Sequence, residues 1–190
     1  MNQEYSDAFD QLADRYDSWF DRHQAAFLSE IAAYKKVVPT SGKGLEVGVG
    51  SGRFAAALGI KTGVEPSDKL GTLAKSRKIK VIKGVAESLP LPDHQFDFVL
   101  FGTVLCYLKH PLPALLEAKR VLKPNGTLII VMLDKNSKLV KSYGARKNEN
   151  PFYFNAHFYT VNEILMLLHE IHFKEVVALR FSGSATLLKK

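Results

Sequence analysis

Leu45-Glu-Val-Gly-Val-Gly-Ser-Gly-Arg-Phe54 decides how the rest of this chain is read. A short apolar run carries one acid, Glu46, and ends in three alternating glycines, Gly48, Gly50 and Gly52. The pattern predicts a strand that turns sharply into a helix. Glycine permits positive φ and leaves no Cβ between the backbone and a nucleotide-like ligand. A second apolar strand, Thr62-Gly-Val-Glu65, also closes on an acid. Two strands, the glycine turn and the Glu65 carboxylate outline a nucleoside pocket, where that carboxylate can accept from both ribose hydroxyls. Taken alone the turn is a weak signal. It reads GxGxG rather than the dinucleotide form GxGxxG, and the short helix after it disfavours a pyrophosphate cofactor.

Strands and helices alternate outward from this turn. Strands are predicted at 44–48, 62–65, 80–83, 96–102 and 127–134, with helices at 53–58, 67–77 and 111–122 between them. The 96–102 segment is nearly all apolar and is expected at the centre of the sheet. Thr160-Val-Asn-Glu163 reads as a capping box opening a helix to about Ile171. Residues 176–181 and 185–189 flank Ser182-Gly183-Ser184 as a closing hairpin. Residues 6–36 read as one helix, with Phe9, Leu12, Ala13, Tyr16, Phe20, His23 and Phe27 on one face and the acids mostly on the other. Residues 135–159 show no clean period and are expected to form a substrate-facing insertion. The fold expected is a Rossmann-like, doubly wound, mainly parallel α/β sheet of about seven strands, the last antiparallel. Helices cover both faces, and an N-terminal helix caps it. Residues 1–190 are expected to form one domain, with 1–40 as the cap and 135–159 as the insertion.

Composition narrows the function classes. The 190 residues carry a formal net charge of +7. Seven acids against two arginines in residues 1–30 make that segment −5, which leaves +12 on the remainder. Such a body attracts RNA, anionic lipid or acidic small molecules. The lysines are dispersed and not interleaved with aromatics, so a solubilising surface is the favoured reading. One cysteine, Cys106, excludes an internal disulfide and a cysteine-built metal site. No apolar run nears the ~20 residues of a membrane span. The polar, acidic start is expected to be neither a signal nor a transit peptide. A cytoplasmic location is expected.

Five segments, taken in order, resemble the class I S-adenosylmethionine-dependent methyltransferases. Leu45–Phe54 is similar to their first motif and Val64-Glu-Pro-Ser67 to their second. Gly84–Phe98 resembles the run into the fourth strand, and Ala118–Ile130 the run into the fifth. Phe9–Asp17 resembles the N-terminal helix of the small-molecule (type 11-like) branch. The resemblance implies S-adenosylmethionine as methyl donor, S-adenosylhomocysteine as product, and no metal. It implies that the Gly48, Gly50 and Gly52 turn approaches the methionine portion and that Glu46 orients its amino group. Glu65, followed by Pro66, would hold the ribose. Ala86, with Glu87 beside it, would face the adenine. Phe101, Gly102 and Thr103 would face the sulfonium, and Tyr16 would close the pocket. The position before Ala86, an acid in many relatives, is Val85 here.

The expected activity is methyl transfer to a small-molecule acceptor by in-line displacement, driven by orientation. The alternatives are an RNA or protein methyltransferase using the basic surface, a non-catalytic cofactor-binding module, and, third, a nicotinamide dehydrogenase. Nucleic acid is therefore the weaker partner class. A monomer or homodimer is expected. No catalytic residue stands out; His157 and Tyr16 are the candidates. His23, Tyr107, Tyr143, Tyr153 and Tyr159 are further candidates for the acceptor side. Cys106 reads as a packed thiol rather than a nucleophile.

Overall fold

The structure, a computed structural model, describes residues 8–145, 150–173, 177–180 and 185–189. Seven strands form one sheet: β1 (Gly44–Val47), β2 (Thr62–Glu65), β3 (Lys80–Lys83), β4 (Phe96–Gly102), β5 (Leu122–Leu133), β6 (Val177–Arg180) and β7 (Ala185–Lys189). Their spatial order is β3-β2-β1-β4-β5-β7-β6. The first five run parallel, and β7 pairs antiparallel with both β5 and β6. Strand order reverses between β1 and β4, and open α/β sheets bind ligands at such a switch.

The helices are α1 (Ala13–Arg22), α2 (Gln24–Tyr34), α3 (Arg53–Leu58), α4 (Asp68–Ser76), α5 (Leu112–Val121), α6 (Lys138–Ala145) and α7 (Val161–Glu170). A helical turn at 8–11 precedes α1. Alternation along the strands divides the core into two layers. Val47, Val99, Phe101 and Ile130 pack with Ala114, Leu115 and Ala118 of α5 and Ile164 and Leu168 of α7. Phe98, Leu100, Ile129 and Val131 pack on the opposite face with Tyr34, Ala55 and Ala74. Helices therefore cover both faces, and the predicted capping box of α7 is formed in full by Thr160 and Glu163.

The structure departs from the sequence reading in four places. The single N-terminal helix is broken at Leu12 and at His23, whose φ and ψ are −123° and 44°. The His23 ring stacks on Trp19 at 4.4 Å and its Nδ1 meets the Trp19 carbonyl, which holds the break. Not all acids of this helix face solvent, since the Asp17 side chain is only 14% exposed. Lys123–Gly126 does not separate helix from strand but bulges out of a longer β5, because Phe96 pairs Leu122 while Phe98 already pairs Thr127. Inside 135–159, α6 forms where no period was visible, and Ser137 Oγ accepts from the Val140 amide at its start. The predicted turn 182–184 lies outside the described residues.

Candidate functional site

The glycine turn sits at the carboxyl end of β1, beside the switch. Gly48, Gly50 and Gly52 all have positive φ, at 70°, 55° and 79°. A Cβ on Gly48 would come within 2.6 Å of Val104 Cγ2, so that position must be bare. A Cβ on Gly50 would stand 3.4 Å from the Tyr16 hydroxyl, which places α1 directly over the turn.

Two carboxylates stand under the turn. Glu65 is 6% exposed; its Oε2 accepts from the Gly50 amide at 2.8 Å and its Oε1 from the Ser67 amide at 3.0 Å. Burial pushes its pKa up to about 7, and nearby Asp10 adds to this against the two amides. Glu46 alternates with core residues Leu45 and Val47 and so points to the opposite face, 2% exposed. A Cβ on Gly102 would lie 2.9 Å from Glu46 Oε1 and 3.3 Å from the Tyr34 hydroxyl. Glu46 Oε2 is buried with no hydrogen-bond partner among the described residues. Burial pushes Glu46 up to about 8, with Glu65 adding and the Ala55 amide opposing. A buried carboxyl oxygen without a donor is costly in a finished core. Here it suits a site completed by a cationic donor group.

The end of β4 closes the third side. Thr103 holds φ of 60°, a rare conformation for a β-branched residue, and its amide donates to Val131 at 2.8 Å. The Tyr34 hydroxyl bonds the Thr103 side chain. Phe101 is wholly buried, so only its backbone is available there. A cavity of about 10 Å³, room for one water, lies next to Thr103 between Leu105, Cys106, Met132, Leu133 and Tyr159. Cys106 is buried; its thiol donates to the Thr103 carbonyl at 3.3 Å and is pushed up to about 12 by burial. It is a packed thiol, as its position suggested. Ala86 is buried, and Pro66 and Glu87 are partly exposed on the loops after β2 and β3.

An aromatic group roofs the site. Phe9 meets Tyr16, Tyr107 and Phe152 at centroid distances of 5.4, 5.3 and 5.3 Å. Tyr107 stacks with Tyr153 at 6.2 Å. The N-terminal helix, the turn after β4 and the 150–158 segment thus converge over one point. His157 does not join them: it is exposed and packs on Tyr159, whose hydroxyl donates to the Leu108 and Lys109 carbonyls. His23 is exposed on Trp19. Nothing is described of the Tyr143 side chain. Burial first, then Glu65 and Glu46, raises the Tyr16 phenol above its ordinary value, so it stays protonated. Among the described residues no three His, Cys, Asp or Glu side chains gather as a metal site, and no helix is long and apolar enough to cross a membrane.

Asp10, Asp17, Arg53 and Arg77 escaped the sequence reading. They tie α1 and the helical turn before it to the loops that carry Gly50 and Glu65. The one available signal was the seven-residue spacing of Asp10 and Asp17, which in the single helix predicted from sequence puts both acids on one face.

Residues 45–130 match the family model described as a methyltransferase domain. An uncharacterized protein of Methanocaldococcus jannaschii is 44% identical over 170 residues, covering 90% of this chain and 82% of that protein. The solved structure of a SAM-dependent methyltransferase, possible histamine N-methyltransferase, from Thermotoga maritima is similar at a TM-score of 0.88 and 37% identity. The match covers 96% of this chain and 97% of that one. The demethylmenaquinone methyltransferase of Bacillus cytotoxicus is 30% identical over 142 residues, 65% of this chain and 59% of that enzyme. The chain likewise spans 61% of the length of its Mycobacterium tuberculosis relative, an uncharacterized protein matched at 32% identity.

Proposed function

The chain belongs to the S-adenosylmethionine-dependent methyltransferases, and from that premise we propose that it is a single domain methylating a small-molecule acceptor. The observation that carries the site assignment is the pair of buried carboxylates, one with an oxygen unpartnered among the described residues, around a turn of three positive-φ glycines. Glu65 holds the ribose hydroxyls, exchanging its present Gly50 donor for them. Glu46 takes the amino group of the methionine portion. Gly48, Gly50 and Gly52 present bare backbone along that portion, and Pro66 directs the chain away from the ribose. Ala86 and Glu87 border the adenine. Phe101, Gly102 and Thr103 offer backbone near the sulfur, and Tyr16 covers it.

S-adenosylmethionine supplies a methyl group already activated by its sulfonium. The residues therefore need only orient, exclude water and hold charge. The bond from acceptor to methyl carbon forms as the carbon–sulfur bond breaks and its electron pair stays on sulfur. Alignment of the two partners is worth ~7–11 kcal/mol. The Phe9, Tyr16, Tyr107 and Phe152 roof keeps water out. No base is required where the acceptor offers a free lone pair, and the acceptor's proton then leaves to solvent. This roof, walled by rings rather than by lysines, supports a small organic acceptor over RNA. The names of two relatives, one a possible histamine and one a demethylmenaquinone methyltransferase, support the same class.

Calorimetry with S-adenosylhomocysteine tests the site. The wild type binds, and Glu65→Ala weakens binding tenfold or more, the scale of charged hydrogen bonds lost. An equal dissociation constant in a folded Glu65→Ala protein rejects the ribose role.

A further inference from the structure

We infer that Asp10 and Asp17 are positioning residues of the cofactor site, through which the helical turn at 8–11 and α1 latch the loop after β2 and the glycine turn and set the rate of cofactor exchange. The inference rests on the cofactor reading above. Asp17 receives Nε and Nη2 of Arg53 at 2.8 and 2.9 Å, and Nη2 of Arg77 at 2.8 Å. The three side chains are only 14%, 16% and 25% exposed. Arg53 directly follows Gly52. Its Nη1 donates to Asp21 Oδ1 and its Nη2, shared with Asp17, to Asp21 Oδ2, both at 2.7 Å. Arg77 also donates to the Ser51 carbonyl at 2.8 Å, in the middle of the glycine turn. One carboxylate on α1 thus gathers two guanidiniums that grip the turn from both sides.

The second anchor is at Asp10. Its Oδ1 accepts from Ser67 Oγ at 2.6 Å and from the Lys69 amide at 3.1 Å. Ser67 caps α4 by accepting from Leu70 at 3.1 Å, and its own amide donates to Glu65. Glu65 accepts in turn from Gly50. Asp10 therefore reaches Glu65 through Ser67, and in the ligand-free structure Glu65 carries the path on to the turn; with ligand bound, the Asp10–Ser67–Glu65 part remains and ends on the ribose. Between the two anchors Tyr16 lies over Gly50. A ligand held between turn and helix leaves only when these contacts open. Bidentate, partly buried Arg–carboxylate pairs resist that opening far more than exposed ones do.

A purely structural role would lower thermal stability without touching exchange. Stopped-flow displacement of S-adenosylhomocysteine separates the two. Trp19, the one tryptophan and itself on α1, supplies the fluorescence signal. The expected result is that Asp17→Asn releases the ligand about tenfold faster, with an equally weakened dissociation constant, and that Asp17→Glu recovers part of the loss. Release from the wild type quickens with added NaCl, and release from Asp17→Asn does so less. Arg77→Gln serves where Asp17→Asn fails to fold, with the same expected direction. Wild-type release rates in folded Asp17→Asn or Arg77→Gln overturn the inference. A wild type that binds no S-adenosylhomocysteine rejects the cofactor reading itself.

Discussion

Glu46 and Glu65, beneath the glycine turn, have no cation among their described partners, whereas Asp17, above the same turn, lies between two guanidiniums. The consequences are opposite. Burial holds the two glutamates up, at about 8 and about 7. Partial burial would raise Asp17 too, but Arg53, Ser51 and Arg77 hold it well below the ordinary carboxylate range. Four carboxylates, counting Asp10, thus form two sets. The latch set has its countercharges within the chain. The cradle set has none among the described residues, so burial leaves both carboxyls with raised pKa values; under the proposed function the donor's ammonium would meet Glu46 and its neutral ribose hydroxyls Glu65.

The largest expected effect breaks the cradle and leaves the latch intact. Gly50→Val places a branched side chain at φ of 55°, between the turn and Tyr16. A Cβ there meets only Tyr16, at the ordinary contact distance of 3.4 Å, so the variant is expected to fold at some cost from its positive φ, which its circular dichroism checks. Binding of S-adenosylhomocysteine falls below detection, at least ~100-fold by comparison with deeply filled sites. Normal calorimetric binding by folded Gly50→Val shows that the ligand does not run along this backbone.

The second effect contrasts the two sets through pH. Glu46 and Glu65 have folded pKa values above their ordinary value of 4.5. Their contribution is fully present below about pH 4.5 and is lost as pH rises through 7 and 8, because the unfolded chain ionises first. Asp17 has the opposite sign: its contribution is present above its ordinary 3.8 and is lost as pH falls. Without ligand, the melting temperature should therefore peak near pH 5 and decline on both sides. Glu46→Gln removes a protonatable group from the upper limb and should flatten it by several degrees. An upper limb of unchanged slope in that variant would mean that Glu46 is ionised in the ligand-free protein.

The cradle was legible in the sequence and the latch was not, for a physical reason. Gly48, Gly50, Gly52 and Glu65 reveal themselves through local requirements: positive φ, a bare Cβ, an acid ending an apolar strand. Each is set by a few neighbouring residues. Asp17 meets Arg53 and Arg77 across 36 and 60 residues. Which face of an amphipathic helix turns inward depends on how it docks, and Tyr16 and Asp17 look alike in a helical period. The β5 bulge escaped for the same kind of reason. Lys-Pro-Asn-Gly reads as a stop, and only pairing with Phe96 carries the strand through it. Helix α6 escaped because Ser137 starts it with few apolar residues to mark a face. The strained Thr103 has no sequence signal, since its conformation is imposed by its bond to Val131 and by Tyr34.

The smallest expected effect concerns an ion pair that looks as good as the latch by distance alone. Lys83 Nζ lies 2.6 Å from Asp68 Oδ2, shorter than any contact to Asp17, and Asp68 directly follows Ser67. Yet the two side chains are 68% and 71% exposed. Water and salt screen such a pair, and holding two long side chains in one geometry costs entropy, so it is worth ~0–1 kcal/mol. Lys83→Ala should move the melting temperature by less than ~2 °C and leave S-adenosylhomocysteine release within about twofold of wild type. It also removes one unit charge near the site, of opposite sign to that removed by Asp17→Asn. If it slowed release as much as Asp17→Asn quickens it, the difference between cradle and latch would reduce to net charge near the site, and the burial and paired geometry of Asp17 would have no part in it.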